Sequence, residues 1–133
     1  TAKKAAALGL TPLARIAAFG TTGLDPAQMG LGPVPASRRA LERAGWKASD
    51  LDLLEINEAF AVVTLAAIQE LQLDLNKVNV HGGACALGHP IGASGARIIV
   101  TLIGALRKTG GKRGVAALCI GGGEATAVGI ELC

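Results

Sequence analysis

The chain predicts an α/β domain, a mixed, mainly parallel five-stranded sheet with helices packed on it. Three observations carry that reading. Short aliphatic runs alternate with helical segments in the order β-α-β-α-β-α-β-β. Half of the 133 residues are hydrophobic but only 2% are aromatic, so the core is built from Ala, Val, Leu and Ile rather than large rings. Nineteen glycines suit close backbone approach between layers. The length is that of one ordinary domain.

Residues 12–24 read as the first strand, with Leu13, Ile16 and Phe19 among small residues, and Asp25-Pro26 breaks it. Pro33 and Pro35 open a helix that runs through Ala36 to Ala44 and closes at Gly45. Leu51 to Ile56 is a second short strand. Glu58 to Leu71 is helical, with Asn57 at its N-cap. Val78 to Val80 is a third strand, followed by a glycine-rich loop from Gly82 to Gly92. A long helix spans Ala93 to Lys108, with Arg107 and Lys108 in its last turn and Gly110-Gly111 behind it. Val115 to Ile120 and Ala125 to Leu132 form a hairpin across Gly121-Gly122-Gly123. The two later helices are short of charge. Between Gly95 and Leu106 only Arg97 is charged, and Ala59 to Ile68 carries none. Such helices are covered on several sides, so they are expected to pack against a second domain or subunit.

Composition excludes several classes. No apolar run reaches the length of a spanning helix. Thr1-Ala2-Lys3-Lys4 leads into no secretory pattern, so a soluble, cytoplasmic protein is expected. The net charge of +3 comes from scattered basic residues with almost no aromatics to stack on bases, which argues against nucleic acid. Three cysteines suggest no disulfide framework, and a start at Thr1 reads as a piece of something longer.

Two residues beside glycine-rich turns are candidates for acid–base chemistry. His89 lies in Gly88-His89-Pro90-Ile91-Gly92-Ala93-Ser94-Gly95, ahead of the N-terminus of an apolar helix. Held there it is a base or donor near neutral pH, or else a loop histidine that satisfies nearby carbonyls. Cys119 ends a strand and meets Gly121, Gly122 and Gly123, whose backbone N–H groups suit an oxyanion. The plainer reading is a small buried hydrophobe and a tight turn. Asn57 is either a cap or an amide presented to a substrate carbonyl or water. Glu55 and Glu58 read equally as acids or bases and as capping or surface charges. His81, Cys85 and His89 recur every four residues, but the glycines and Pro90 argue against a helix there, and no metal site is expected. Cys85 and Cys133 read as incidental, and no phosphate loop is present.

Asn57-Glu58-Ala59-Phe60-Ala61, Gly88-His89-Pro90-Ile91-Gly92-Ala93-Ser94-Gly95-Ala96-Arg97 and Cys119-Ile120-Gly121-Gly122-Gly123 together resemble the three C-terminal signatures of the thiolases, in order and spacing. Gly30-Leu31-Gly32-Pro33-Val34-Pro35-Ala36 fits the same family. The likeness covers essentially this whole chain but only the last third of a thiolase subunit. It implies that residues 1–133 are a thiolase C-terminal domain, with helices on both sheet faces, forming half of an α-β-α-β-α layered pair. The nucleophilic cysteine then belongs to an absent N-terminal half, which is the expected partner, within a homo-oligomer (a dimer or tetramer).

The implied reaction is reversible Claisen condensation of two acetyl-CoA, with coenzyme A thioesters as substrates and no cofactor. A degradative 3-ketoacyl-CoA thiolase of fatty-acid β-oxidation is the alternative, and a non-catalytic binding or assembly subunit is a third reading. By motif position, His89 activates the nucleophile and, with a water held by Asn57, polarises a thioester carbonyl. Cys119 exchanges the acetyl proton, and the Gly121 N–H helps form a second oxyanion hole. Met29, Ala59 and Phe60 match positions lining the acyl and pantetheine pocket. Glu124-Ala125-Thr126 departs from the family's usual Gln or Met followed by glycine, as do His81 and Cys85. Glu124 is expected to disfavour a thiolate at Cys119.

Overall fold

In the computed structural model, which describes residues 1–133, strands β1 (Ala14–Gly23), β2 (Leu53–Ile56), β3 (Arg113–Ile120) and β4 (Glu124–Leu132) form one sheet ordered β1-β4-β3-β2. β2 runs parallel to β3, whereas β4 is antiparallel to both β3 and β1. Three strands therefore point one way, as the β-α-β alternation implies. Because β4 is inserted between β1 and β3, two of the three neighbouring pairs are antiparallel, which corrects the mainly parallel sheet expected.

The sheet has four strands and not five. Residues 78–80 contribute a single bridge, Leu54 to Val78. Asn79 then turns to φ +49° and ends the pairing. Its backbone N–H donates to the Leu54 carbonyl at 2.9 Å. Its side-chain amide accepts from Ile56 N–H at 2.8 Å and donates to Ile56 O at 2.9 Å. One side chain thus takes the hydrogen bonds that the next peptide of a strand would have made.

The helices are α1 (Ala2–Ala7), α2 (Pro33–Ala44), α3 (Ala61–Leu71), α4 (Ala84–Leu87) and α5 (Ser94–Thr109). α1 and the short α4 inside the glycine-rich loop were not expected from the sequence. In α2, Pro33 sits where its missing N–H costs nothing, and Gly45 ends the helix at φ +69°. Side-chain alternation divides the core. Leu54, Ile56, Val115, Ala117, Ala125 and Ala127 meet α2 and α3 on one face, while Leu53, Ala116 and Ile130 meet Ile98, Leu102 and Leu106 of α5 on the other. Helices on both faces are as expected.

Small residues set the spacing of α2 on the sheet. A Cβ at Gly20 would overlap the Ala36 carbonyl and approach Ala40 N to 2.8 Å, both of them backbone atoms of α2. Gly20→Ala is therefore expected to push α2 off β1 and cost about 1–3 kcal/mol, read from denaturant unfolding. Val62 and Leu65 on α3 and Val100 on α5 remain 60–69% exposed. Within this chain nothing covers these apolar strips, in line with the expectation of a further packing partner.

Candidate active site

Since β1, β2 and β3 run the same way, their carboxyl ends share one edge of the sheet, where α/β proteins commonly bind ligands. Met29, partly buried, lies in the 3₁₀ turn Pro26–Leu31 after β1. Asn57, Ala59 and Phe60 follow β2, and Gly121 follows Cys119 at the end of β3. The Leu24 N–H donates to Gly123 O at 2.7 Å and ties the end of β1 to the β3–β4 turn. A cleft of about 260 Å³ between the 3₁₀ turn and α3 is lined by Gln28, Gly30, Leu31, Val62 and Val63.

Asn57 is fully buried, and its N–H donates to Ala117 O on β3 at 2.9 Å. It is not the helix cap expected, because α3 starts at Ala61 with Phe60 at the N-cap. Its side chain is freed to meet His89, with Asn57 Nδ2 3.3 Å from His89 Nε2. The other ring nitrogen, Nδ1, lies 2.6 Å from Ser94 Oγ, and the Ser94 hydroxyl donates to Pro90 O at 3.1 Å. With its proton committed to Pro90, Ser94 Oγ accepts from His89 Nδ1–H. The exposed imidazole therefore keeps its Nε2 lone pair toward Asn57 and solvent. Asn57 Oδ1 is buried and has no hydrogen-bond partner.

Cys119 is buried, and desolvation pushes its thiol up, so it is neutral near pH 7. Glu124 is not the cause. It is exposed and paired in register with Ile120, while Cys119 faces Ala125. The structure thus joins Asn57 and His89 directly and places Cys119, Gly121 and Met29 on the same edge without hydrogen bonds to that pair. Ala59 is partly buried, with its N–H on Asn57 O at 3.0 Å, and Phe60 is exposed.

Three supporting groups were missed or undervalued. Ser94 lies five residues past His89, and its only sequence signal was a serine at a helix start. Asn79 had none beyond a turn-forming residue between two valines. Glu58 accepts from the Cys85 N–H at 2.9 Å and from Asn79 Nδ2 at 2.9 Å, beneath Gly83, where a Cβ would strike its carboxylate. Cys85, read as incidental, thus helps anchor the histidine loop. Burial raises the Glu58 carboxyl, but the Cys85 N–H, the Asn79 amide, the Cys85 thiol and Arg97 outweigh it and hold it below the usual range.

Stability from Glu58 is accordingly present above its unfolded pKa near 4.3 and is lost as pH falls through the lower folded value. Glu58→Gln is expected to cost about 1–2 kcal/mol at pH 7 and less below pH 4, with faster amide exchange at Cys85 to Gly88, checked by unfolding and hydrogen exchange. Within β2, Glu55 is buried and its Oε2 accepts from Arg97 Nη1 at 3.2 Å. Desolvation carries it up to about 7 against the pull of Arg97.

The fold and this edge define a thiolase-type domain, and the chain belongs to the thiolase C-terminal domain family, whose model matches residues 10–132. It is 57% identical over 128 residues to an acetyl-CoA acetyltransferase of Thiocystis violacea, covering 96% of this chain and 32% of that one. The crystal structure of the Bacillus anthracis acetyl-CoA acetyltransferase superposes at TM-score 0.95 with 53% identity, over 98% of this chain and 33% of that one. Human mitochondrial 3-ketoacyl-CoA thiolase in complex with CoA gives 0.96 at 50% identity and the same coverage. The chain spans about a third of the length of the relatives it matches.

Proposed function

We propose that this chain is the C-terminal catalytic portion of an acetyl-CoA C-acetyltransferase, with the nucleophilic cysteine supplied by an N-terminal half that also covers the exposed apolar strips of α3 and α5. The observation that carries the reading is the chain Asn57···His89···Ser94, which fixes an imidazole lone pair at the carboxyl end of β2. A fixed Nε2 takes the proton of a thiol nucleophile. Once Nε2 carries that proton, it and a water held by Asn57 suit a thioester carbonyl oxygen that gains charge, and the Gly121 N–H suits a second, where one such donor is typically worth about 3–4 kcal/mol. A neutral Cys119 thiol suits donation to the acetyl-CoA carbanion released when a 3-ketoacyl-CoA is cleaved. The resulting thiolate recovers its proton from the coenzyme A thiol that attacks the acyl-enzyme. In condensation the same proton moves the other way. Met29, Ala59 and Phe60 border the thioester and its pantetheine arm.

Likeness to a 3-ketoacyl-CoA thiolase supports a second reading, in which longer 3-ketoacyl-CoAs are degraded. Joining this chain to an N-terminal thiolase half and assaying thiolysis decides between the readings. Turnover of acetoacetyl-CoA over longer substrates is expected, with none from the 133 residues alone. A joined protein that folds and binds coenzyme A without thiolysis would leave only a binding or assembly role.

A further inference from the structure

Glu55 and Arg97 take no part in the chemistry above, yet theirs is the only ion pair with a buried member, the Glu55 side chain being 1% exposed. Glu55 and Asn57 lie two residues apart on one side of β2, and Ser94 and Arg97 lie three apart on one side of α5. The strand and helix are therefore tied twice, through Asn57···His89···Ser94 and through Glu55···Arg97. The ties are spaced about 4.5 Å along the helix and about 6.6 Å along the strand, so they stand side by side. The apolar contacts of α5 with the sheet begin only at Ile98. Between Ile98 and the residue that grips the imidazole, Arg97 provides the polar fastening.

We propose that Glu55 and Arg97 are positioning residues for His89: their pair sets the separation of β2 from the first turn of α5, and so the geometry in which Asn57 and Ser94 hold the ring. This rests on the reading of His89 as the base of the site. Stability does not account for the pair, because a buried ion pair replaced whole by apolar residues is often no less stable. A directed hydrogen bond fixes a length and an angle, whereas an apolar contact lets two elements slide.

The test is the complete enzyme carrying Glu55→Leu together with Arg97→Met. Removing both charges leaves no orphan, so Tm is expected to stay near that of the parent. kcat for thiolysis is expected to fall about 10- to 100-fold while KM for the acyl-CoA stays within about threefold, because misplacement by an ångström costs on that order. The imidazole ¹⁵N resonances of His89, one of two histidines in this chain, are expected to shift from the Nδ1–H form toward a tautomer mixture. Arg97→Gln, which keeps a shorter donor, should show a smaller kcat loss and the same drift. A folded double variant with unchanged kcat and unchanged tautomer overturns the proposal. If the double variant does not fold, the same pair of unchanged readouts in Arg97→Gln overturns it. Absence of thiolysis in the parent enzyme would overturn the acyl-transfer reading instead, and the His89 resonances would still decide the positioning role.

Discussion

His89→Ala in the complete enzyme is expected to lower kcat/KM for acetoacetyl-CoA thiolysis by about 1,000-fold, the scale of losing a positioned base together with an oxyanion donor. The fold should survive, because the ring is exposed and Asn57 and Ser94 keep their backbone bonds to Ala117 and Pro90. Steady-state assays alongside a thermal melt check both halves of the statement. A loss below tenfold in a folded variant would remove His89 from the chemistry. Ser94→Ala tests the same geometry more gently. It deletes the 2.6 Å acceptor of Nδ1, frees the other tautomer, and should cost about 10-fold or more in kcat.

Cys119→Ala should separate the two half-reactions. Acetyl-CoA should still acylate the nucleophile, though more slowly, because His89 and Asn57 are untouched and coenzyme A can depart as a thiolate without the Cys119 proton. Carbon–carbon bond formation should fall at least about 1,000-fold, since no group remains to take the acetyl proton. Intact-protein mass spectrometry detects the acyl-enzyme, and acetoacetyl-CoA formation measures the second step. Failure to trap an acyl-enzyme in a folded variant would contradict the role given to Cys119. The substitution removes a small buried side chain against Ala125, so the stability cost is modest, on the order of 1 kcal/mol.

The candidate site was legible in the sequence to an uneven degree. His89 and Cys119 stood out because glycines surround them, and Asn57 because it joins a strand to a helix. What Asn57 does was not legible. As a cap its side chain would have turned back on its own helix, but α3 begins at Ala61, and the amide reaches His89 across 32 positions of chain. The influence of Glu124 on Cys119 was inferred from nearness in sequence. Antiparallel pairing puts Glu124 opposite Ile120, and burial raises the thiol instead. Glu58 read equally as an acid or base and as a capping or surface charge, because its partners, Asn79 and Cys85, lie 21 and 27 positions away.

By itself the sequence determined the four strands, the longer helices α2, α3 and α5 and the common direction of β1, β2 and β3, because hydrophobic period, proline and glycine act over a few residues. It also marked the residues able to do acid–base chemistry. Only the tertiary structure decided that β4 slots between β1 and β3, and that Asn79 closes the sheet with its side chain in place of a fifth strand. It alone decided that β2 and α5 grip one imidazole between them. Those outcomes depend on hydrogen bonds between groups distant along the chain, and no local pattern of apolar and polar residues encodes which donor finds which acceptor.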